Sequence, residues 1–219
     1  MRHTILFAVL ATALLTGPVA QAYEAGDWLV RVGASNVDPD DPNGKILGLD
    51  INVDDDTSIT FNGTYMWTKN WGIELLAATP FEHDIKVDGL GKVGSTKHLP
   101  PTLSLQYHFL PESWFQPYVG AGVNLTIFFD DEEDGTLKEI GGKLELKDDA
   151  SVGLAGQIGA DFQLNDRWFV NVDFRYIKID NDAKVFVPDP VVPGGGTVEA
   201  NVNIDPFVYG LHVGYRFGK

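Results

Sequence analysis

The chain contains no cysteine, so a disulfide framework, a thiolate metal site and a cysteine nucleophile are all excluded. Cations are scarce: 16 Lys and Arg stand against 31 Asp and Glu, a net charge of -15. Nucleic acid, whose phosphates demand clustered Lys and Arg, is thereby excluded as a partner. Long apolar runs are missing too. Beyond residue 22 no stretch approaches the ~20 apolar residues that a membrane helix requires. Stability must come from packing or from the bilayer.

The one sustained apolar run lies at the start. Met1-Arg2-His3 precedes an apolar stretch from Thr4 to Leu15, followed by Gly17, Pro18 and Ala20-Gln21-Ala22. A positive start, a short apolar core and an A-x-A box make a cleaved secretory signal peptide over residues 1–22, with the mature chain beginning at Tyr23. With no stop-transfer segment behind it, the product is periplasmic, secreted or outer-membrane.

What the sequence does have is alternation. Phe207, Tyr209, Leu211, Val213, Tyr215 and Phe217 share one face; Val208, Gly210, His212, Gly214 and Arg216 share the other. Strand side chains alternate faces, so this segment has one greasy face and one of glycines and ionisable groups. Its aromatics gather towards both ends, as suits a membrane with two interfaces. Seven more segments repeat the pattern: Trp28 to Ser35, Ser58 to Trp67, Trp71 to Phe81, Leu99 to Phe109, Val119 to Ile127, Val152 to Leu164 and Trp168 to Tyr176.

The connections alternate in length. Lys69-Asn70, Leu110 to Gln116 and Asn165 to Arg167 are short, whereas Val37 to Thr57, Glu82 to His98, Phe129 to Asp149 and Asp180 to Asn203 are long. This rhythm predicts an all-β fold, an eight-stranded antiparallel transmembrane β-barrel with long extracellular loops and short periplasmic turns, spanning residues 23–219. The acidic runs Asp38 to Asp41, Asp54 to Asp56 and Asp130 to Asp134 fall in the long connections and read as solvated loops. A soluble barrel would carry its apolar face inside; here the other face holds charges among many glycines, which suits a narrow lumen and lipid outside.

Tyr23 to Trp28, Trp71 to Phe81, Lys97 to Leu103, Gln116 to Asn124, Phe128-Phe129-Asp130, Gly156 to Gly159 and the ending Gly214-Tyr215-Arg216-Phe217 resemble the OmpW family of outer-membrane proteins, the OmpW, AlkL and OprG group. The likeness covers essentially the whole mature chain. It implies an eight-stranded barrel in the bacterial outer membrane, associated with passage of small hydrophobic molecules. The family usually closes on the Phe, whereas Gly218 and Lys219 follow here.

Pro80 lies near the outer end of the third strand, and Pro100 and Pro101 at the outer start of the fourth. Proline donates nothing to a ladder, so the seam between these strands is expected to be weak or open on the outer side; alternatively the prolines merely end strands. The family resemblance favours a lateral exit into the bilayer, with Leu76, Ala78 and Pro80 on the inner face accepting a solute and Pro80, Pro100 and Pro101 bounding the gap. The inner charges Arg31, Glu74, His108, Asp161, Asp173, Arg175, His212 and Arg216 are expected to form a salt-bridged plug, or else to line an open water channel.

Enzyme chemistry finds no support: no serine sits in a nucleophile elbow, so no catalytic residue is assigned. Gly89 to Gly94 matches G-x-G-x-x-G with no helix behind it before Pro100. Asp130 to Gly135 starts like a calcium loop, but Gly141 stands where the closing Glu belongs. The expected partners are small hydrophobic molecules, outer-membrane lipid and lipopolysaccharide, and the barrel assembly machinery; no cofactor or metal is expected, and the chain is expected to be a monomer. The competing function is a closed structural or adhesion barrel whose extracellular loops bind a partner.

Overall fold

The computed structural model describes residues 23–189 and 195–218; the expected signal peptide over residues 1–22 and Lys219 lie outside them. Fifteen strands form among the described residues. In chain order they are β1 (Trp28–Asp38), β2 (Gly44–Ile46), β3 (Leu49–Val53), β4 (Asp56–Met66), β5 (Trp71–Ala78), β6 (Phe81–Val87), β7 (Gly91–Leu99) and β8 (Thr102–His108). After β9 (Phe115–Glu133) comes a short helix α1 (Gly135–Glu139), then β10 (Lys143–Leu146), β11 (Ala150–Gln163), β12 (Trp168–Ile177), β13 (Asp180–Val187), β14 (Gly196–Asn203) and β15 (Phe207–Phe217). No described helix is long and apolar enough to cross a membrane; strands do the crossing.

Strands β1, β4, β5, β8, β9, β11, β12 and β15 pair antiparallel in a ring closed by β1 against β15, from Trp28↔Phe217 to Asp38↔Phe207. These are the segments whose alternation the sequence displays. Their outer face exposes Val32, Ile59, Leu75, Leu103, Leu154 and Leu211, while Arg31, Thr64, Gln106, Asn124 and Asp161 are fully buried inside. Such a surface is stable only in lipid, where closure also leaves no strand edge unpaired.

Aromatic cross-strand pairs fix the lower boundary. Trp28 meets Tyr65, Trp71 meets Tyr107 and Trp168 meets Tyr215, with ring centroids 5.1, 4.9 and 4.9 Å apart. All three pairs lie beside the strand ends that carry the short turns, so they form an interfacial girdle. Inside, the lumen is tight. A Cβ on Gly33 or Gly122 would collide with the backbone oxygen of Leu211 or Leu103 on the neighbouring strand, which is why glycine occupies both.

The long connections depart from the expected solvated loops. They fold into β2, β3, β6, β7, β10, β13 and β14, which continue the ladder upward from the outer half of β9. The reason is a second alternation: in β6, Phe81, His83, Ile85 and Val87 turn inward while Glu82 stays exposed, and Asp84 and Lys86 are half-buried. Ile46, Ile51, Val93, Phe128, Leu144 and Val202 complete an apolar core above the membrane ring. The acid is solvated as expected, but on strand faces and turns, where lysines answer it: Lys92 bridges Asp84 at 2.8 Å and Asp134 at 3.2 Å, and Lys147 meets Asp182 at 3.1 Å.

Two motif matches resolve into plain structure. Gly89 and Gly91, with φ of 80° and 75°, make the β6–β7 hairpin turn, where left-handed backbone favours glycine. The calcium-like segment is the end of β9 and the start of α1, with the Asp134 side chain capping the Gly135 N–H at 2.7 Å.

Candidate functional site

The ladder between β5 and β8 stops at Leu76↔Thr102, and the next pairing above it joins β6 to β7 at Phe81↔His98. Ala77 to Pro80 therefore face Leu99 to Pro101 without a cross-strand register. The break is one-sided. The β5 chain stays bonded to β4 through Thr79 N–H to the Ile59 carbonyl at 2.9 Å, and on the other side Leu125 N–H reaches the Pro101 carbonyl at 2.9 Å.

Asn124 holds the two-proline bend. Its buried amide donates to the Pro100 carbonyl at 3.2 Å, the Pro101 carbonyl at 3.4 Å and Thr102 Oγ1 at 3.0 Å. Opposite, the run through Thr79 and Pro80 shifts the parity of the strand: odd residues of β5 point out, whereas odd residues of β6 point in. Two expectations need correcting as a result. Pro80 is exposed rather than facing the lumen, and Phe81, which continues the outward series in the sequence, is buried.

A small internal cavity of about 10 Å³ lies behind the break. Leu76, Ala78 and Pro100 line it with Phe81, His98 and Ile177; Pro80 and Pro101 are not among its described lining. His98 also borders a second cavity of about 40 Å³ in the apolar core above. That core in turn shares Ile46, Val87, Val93 and Val185 with an apolar groove of about 290 Å³, flanked by exposed Leu47, Leu49 and Leu90. Outer groove, upper cavity and break cavity thus lie in succession, the first two sharing four lining residues and the last two separated by His98.

Two histidines stand in this apolar path. His83 and His98 stack with centroids 4.9 Å apart and planes 15° from parallel, beside Phe81 and Phe128. Burial lowers the pKa of His83 despite the nearby Asp54, Asp55 and Asp56 carboxylates, and burial with His83 alongside lowers that of His98 to about 3. Both are therefore neutral at physiological pH.

Below the break the lumen is filled by charge. Arg31 meets Asp161 at 2.8 Å and lies 3.7 Å from Glu74; Arg175 meets Glu74 and Asp173, each at 2.7 Å; His212 Nδ1 lies 3.2 Å from Asp173. The structure brings these six expected residues into one network. Arg216 stands apart, paired with Asp27 at 2.7 Å, and His108 lies between the rings of Tyr23 and Tyr118. Polar neighbours complete the carboxylates: Tyr23 OH and Asn171 Nδ2 donate to Asp161 at 2.9 and 2.8 Å, and Gln157 Nε2 donates to Glu74 at 3.1 Å. Arg31, Glu74 and Asp161 have no contact with water-sized space, so no open water channel passes at this level.

A model of the OmpW family matches residues 24–217. The chain belongs to the OmpW family. This OmpW-family protein is 41% identical over 221 residues to outer membrane protein W of Escherichia coli (strain K12), covering 99% of this chain and 100% of that one. It is 30% identical over 225 residues to outer membrane protein AlkL of Ectopseudomonas oleovorans, covering 97% and 92%. The crystal structure of the outer membrane protein OprG from Pseudomonas aeruginosa matches with a TM-score of 0.82 at 40% identity, covering 91% of this chain and 100% of that chain. The OmpW-family barrel is an outer-membrane protein.

Sequence reasoning missed His83, His98, Asn124, Tyr23 and Asp27. The histidines were readable in principle: both stand on the inward parity of segments taken for loops, His83 between Phe81 and Ile85. Asn124 carried no signal, since only the fold places it beside the proline carbonyls of β8's approach.

Proposed function

We propose that this OmpW-family barrel takes up small hydrophobic molecules passively and releases them sideways into the bilayer through the break between β5 and β8. One observation carries the reading: the apolar path from the outer groove ends at the unpaired stretch of wall, directly above a lumen filled by buried ion pairs. An apolar solute gains by entering the path and would lose by entering the charged network below, since buried charges surrender nothing to a hydrocarbon. The wall beside the break demands no ladder bonds to be broken for exit. Both inner cavities are small at rest, so passage requires His98 and its neighbours to move aside. The reading is of passage, with no chemical step and no cofactor.

The test is to restore the ladder. Pro80→Val, Pro100→Thr and Pro101→Val together give the two chains the donors they lack, and entry of a hydrophobic probe into proteoliposomes is measured. Uptake should fall about tenfold or more while folding, read by heat-modifiable gel mobility, persists. Unchanged uptake would remove the lateral route; unchanged uptake together with loop-dependent binding of an outside partner would favour the adhesion barrel.

A further inference from the structure

The apolar core of the upper storey contains polar atoms with nothing to bind. His83 and His98 are both almost wholly buried, and the Nε2 atom of each lacks a hydrogen-bond partner. A buried polar atom without a partner is unfavourable and calls for an explanation, of which an unseen partner is the simplest. The other polar side chains lining the same cavity, Thr96 and Asn181, are already engaged. Thr96 Oγ1 donates to Asp131 at 2.7 Å, and Asn181 donates to the Asp148 carbonyl at 3.0 Å and accepts from the Asp182 N–H at 2.8 Å.

Chemistry fixes what the free atoms can do. His83 Nδ1 lies 2.6 Å from the Asp54 carbonyl, which can only accept, so Nδ1 carries the proton. In the neutral ring Nε2 of His83 is then a bare acceptor aimed into the apolar cavity. His98, stacked on it, presents its own Nε2 from the strand opposite. A neutral group that donates to His83 and accepts from His98, whose proton then stands on Nε2, satisfies the pair. A hydroxyl does this; a carbonyl cannot donate, and a carboxylate would meet two uncharged rings with Asp54, Asp55 and Asp56 close behind.

Position adds to the argument. His98 borders both the upper cavity and the cavity at the break, so a molecule on the proposed path passes its ring. The upper cavity, about 40 Å³, has room for a hydroxymethyl group before any side chain moves. We infer that His83 and His98 form a recognition point for the hydroxyl of an otherwise apolar molecule, so that the barrel favours long-chain alcohols and phenols over the corresponding hydrocarbons. This selectivity rests on the passage proposed above, whereas the binding event itself does not.

The experiment uses the mature protein in lipid nanodiscs with 15N-labelled histidine, titrated with 1-octanol or n-octane, alongside uptake of both compounds into proteoliposomes. Octanol should shift the Nε2 resonances of His83 and His98, and octane should leave them in place. His83→Phe and His98→Phe, which keep the aromatic stack, should lower the ratio of octanol entry to octane entry about five- to tenfold, the value of one hydrogen bond, whatever they do to passage of both compounds. Unshifted Nε2 resonances in octanol, or equal loss of octanol and octane entry in the variants, would overturn the inference. If the resonances shift but neither compound enters faster than into protein-free liposomes, recognition stands and the passage reading falls. The titration of the unaltered protein keeps the test decisive should a variant fail to assemble.

Discussion

The two storeys of this barrel use the same antiparallel ladder with opposite polarity. In the membrane ring the apolar residues face out and the charges in; above it the carboxylates and lysines face out and the aliphatic side chains in. One strand carries the change within its own length. On β9 the inward series runs from Gln116 through Asn124 and Thr126 to the buried Phe128 and the outward series through Val123, Leu125 and Ile127; a bulge at Asp130, where φ is 56°, then reverses the parity and leaves Asp130 and Glu132 exposed. The backbone is indifferent to which face is greasy; the surrounding solvent decides, lipid below and water above. A hydrophobic guest is therefore welcome inside the upper storey and outside the lower one, and the break in the wall lies where these two regions meet.

The contrast can be broken hardest from below. Asp161→Ala leaves Arg31 buried without its closest partner, and removing one member of a buried pair costs about 3–5 kcal/mol. Urea unfolding in lipid should show that loss, and Arg31→Met added to it should restore much of the stability. A medium effect should come from acid, and only above. The unfolded state binds a proton at His98 near the ordinary value of 6.5 while the folded state resists until about 3, so stability is complete above that ordinary value and falls as pH drops. At pH 5 the loss should be about 2 kcal/mol. Amide exchange, corrected for intrinsic rates, should speed up in β6 and β7 between pH 7.5 and pH 5 and stay unchanged in β1 and β15. The smallest effect belongs to the outer charges. Lys92→Met removes two bridges at solvent-screened side chains, and the thermal unfolding midpoint should barely move. An outer lysine worth as much as Asp161 would mean that the storeys do not differ in the way their polarity implies.

The membrane strands were legible because their outward residues are aromatic or aliphatic and their inward ones small or charged, a contrast that survives inspection of any single segment. The upper strands were not, although their period is the same. In β6 the residues alternating with Phe81, Ile85 and Val87 are Glu82, Asp84 and Lys86, and a run dense in charge between Pro80 and a glycine turn reads as a solvated connection. The members of the charge network followed from parity alone; their pairing did not, because Glu74 and Arg175 lie 101 residues apart and meet only once the ring closes. Arg216 was grouped with them by height on the barrel, yet Asp27 on the chain entering β1 takes it instead. The break itself was visible as three prolines, whereas its asymmetry required knowing that Asn124 secures one bank and Thr79 the other.

That asymmetry has a mechanical consequence. Widening an ordinary barrel means unzipping a ladder, at the expense of roughly one hydrogen bond for each residue pair parted. Here β9 runs as one continuous rod through both storeys, Asn124 clasps the β8 side to it, and β5 is fastened to β4 up to Thr79. Within the gap the two banks share no pairing and each is braced to its outer neighbour, while Leu76↔Thr102 below and Phe81↔His98 above pin its ends. Between those two pins the banks can bow apart against side-chain contact alone, and main-chain bonds resist only a wider opening.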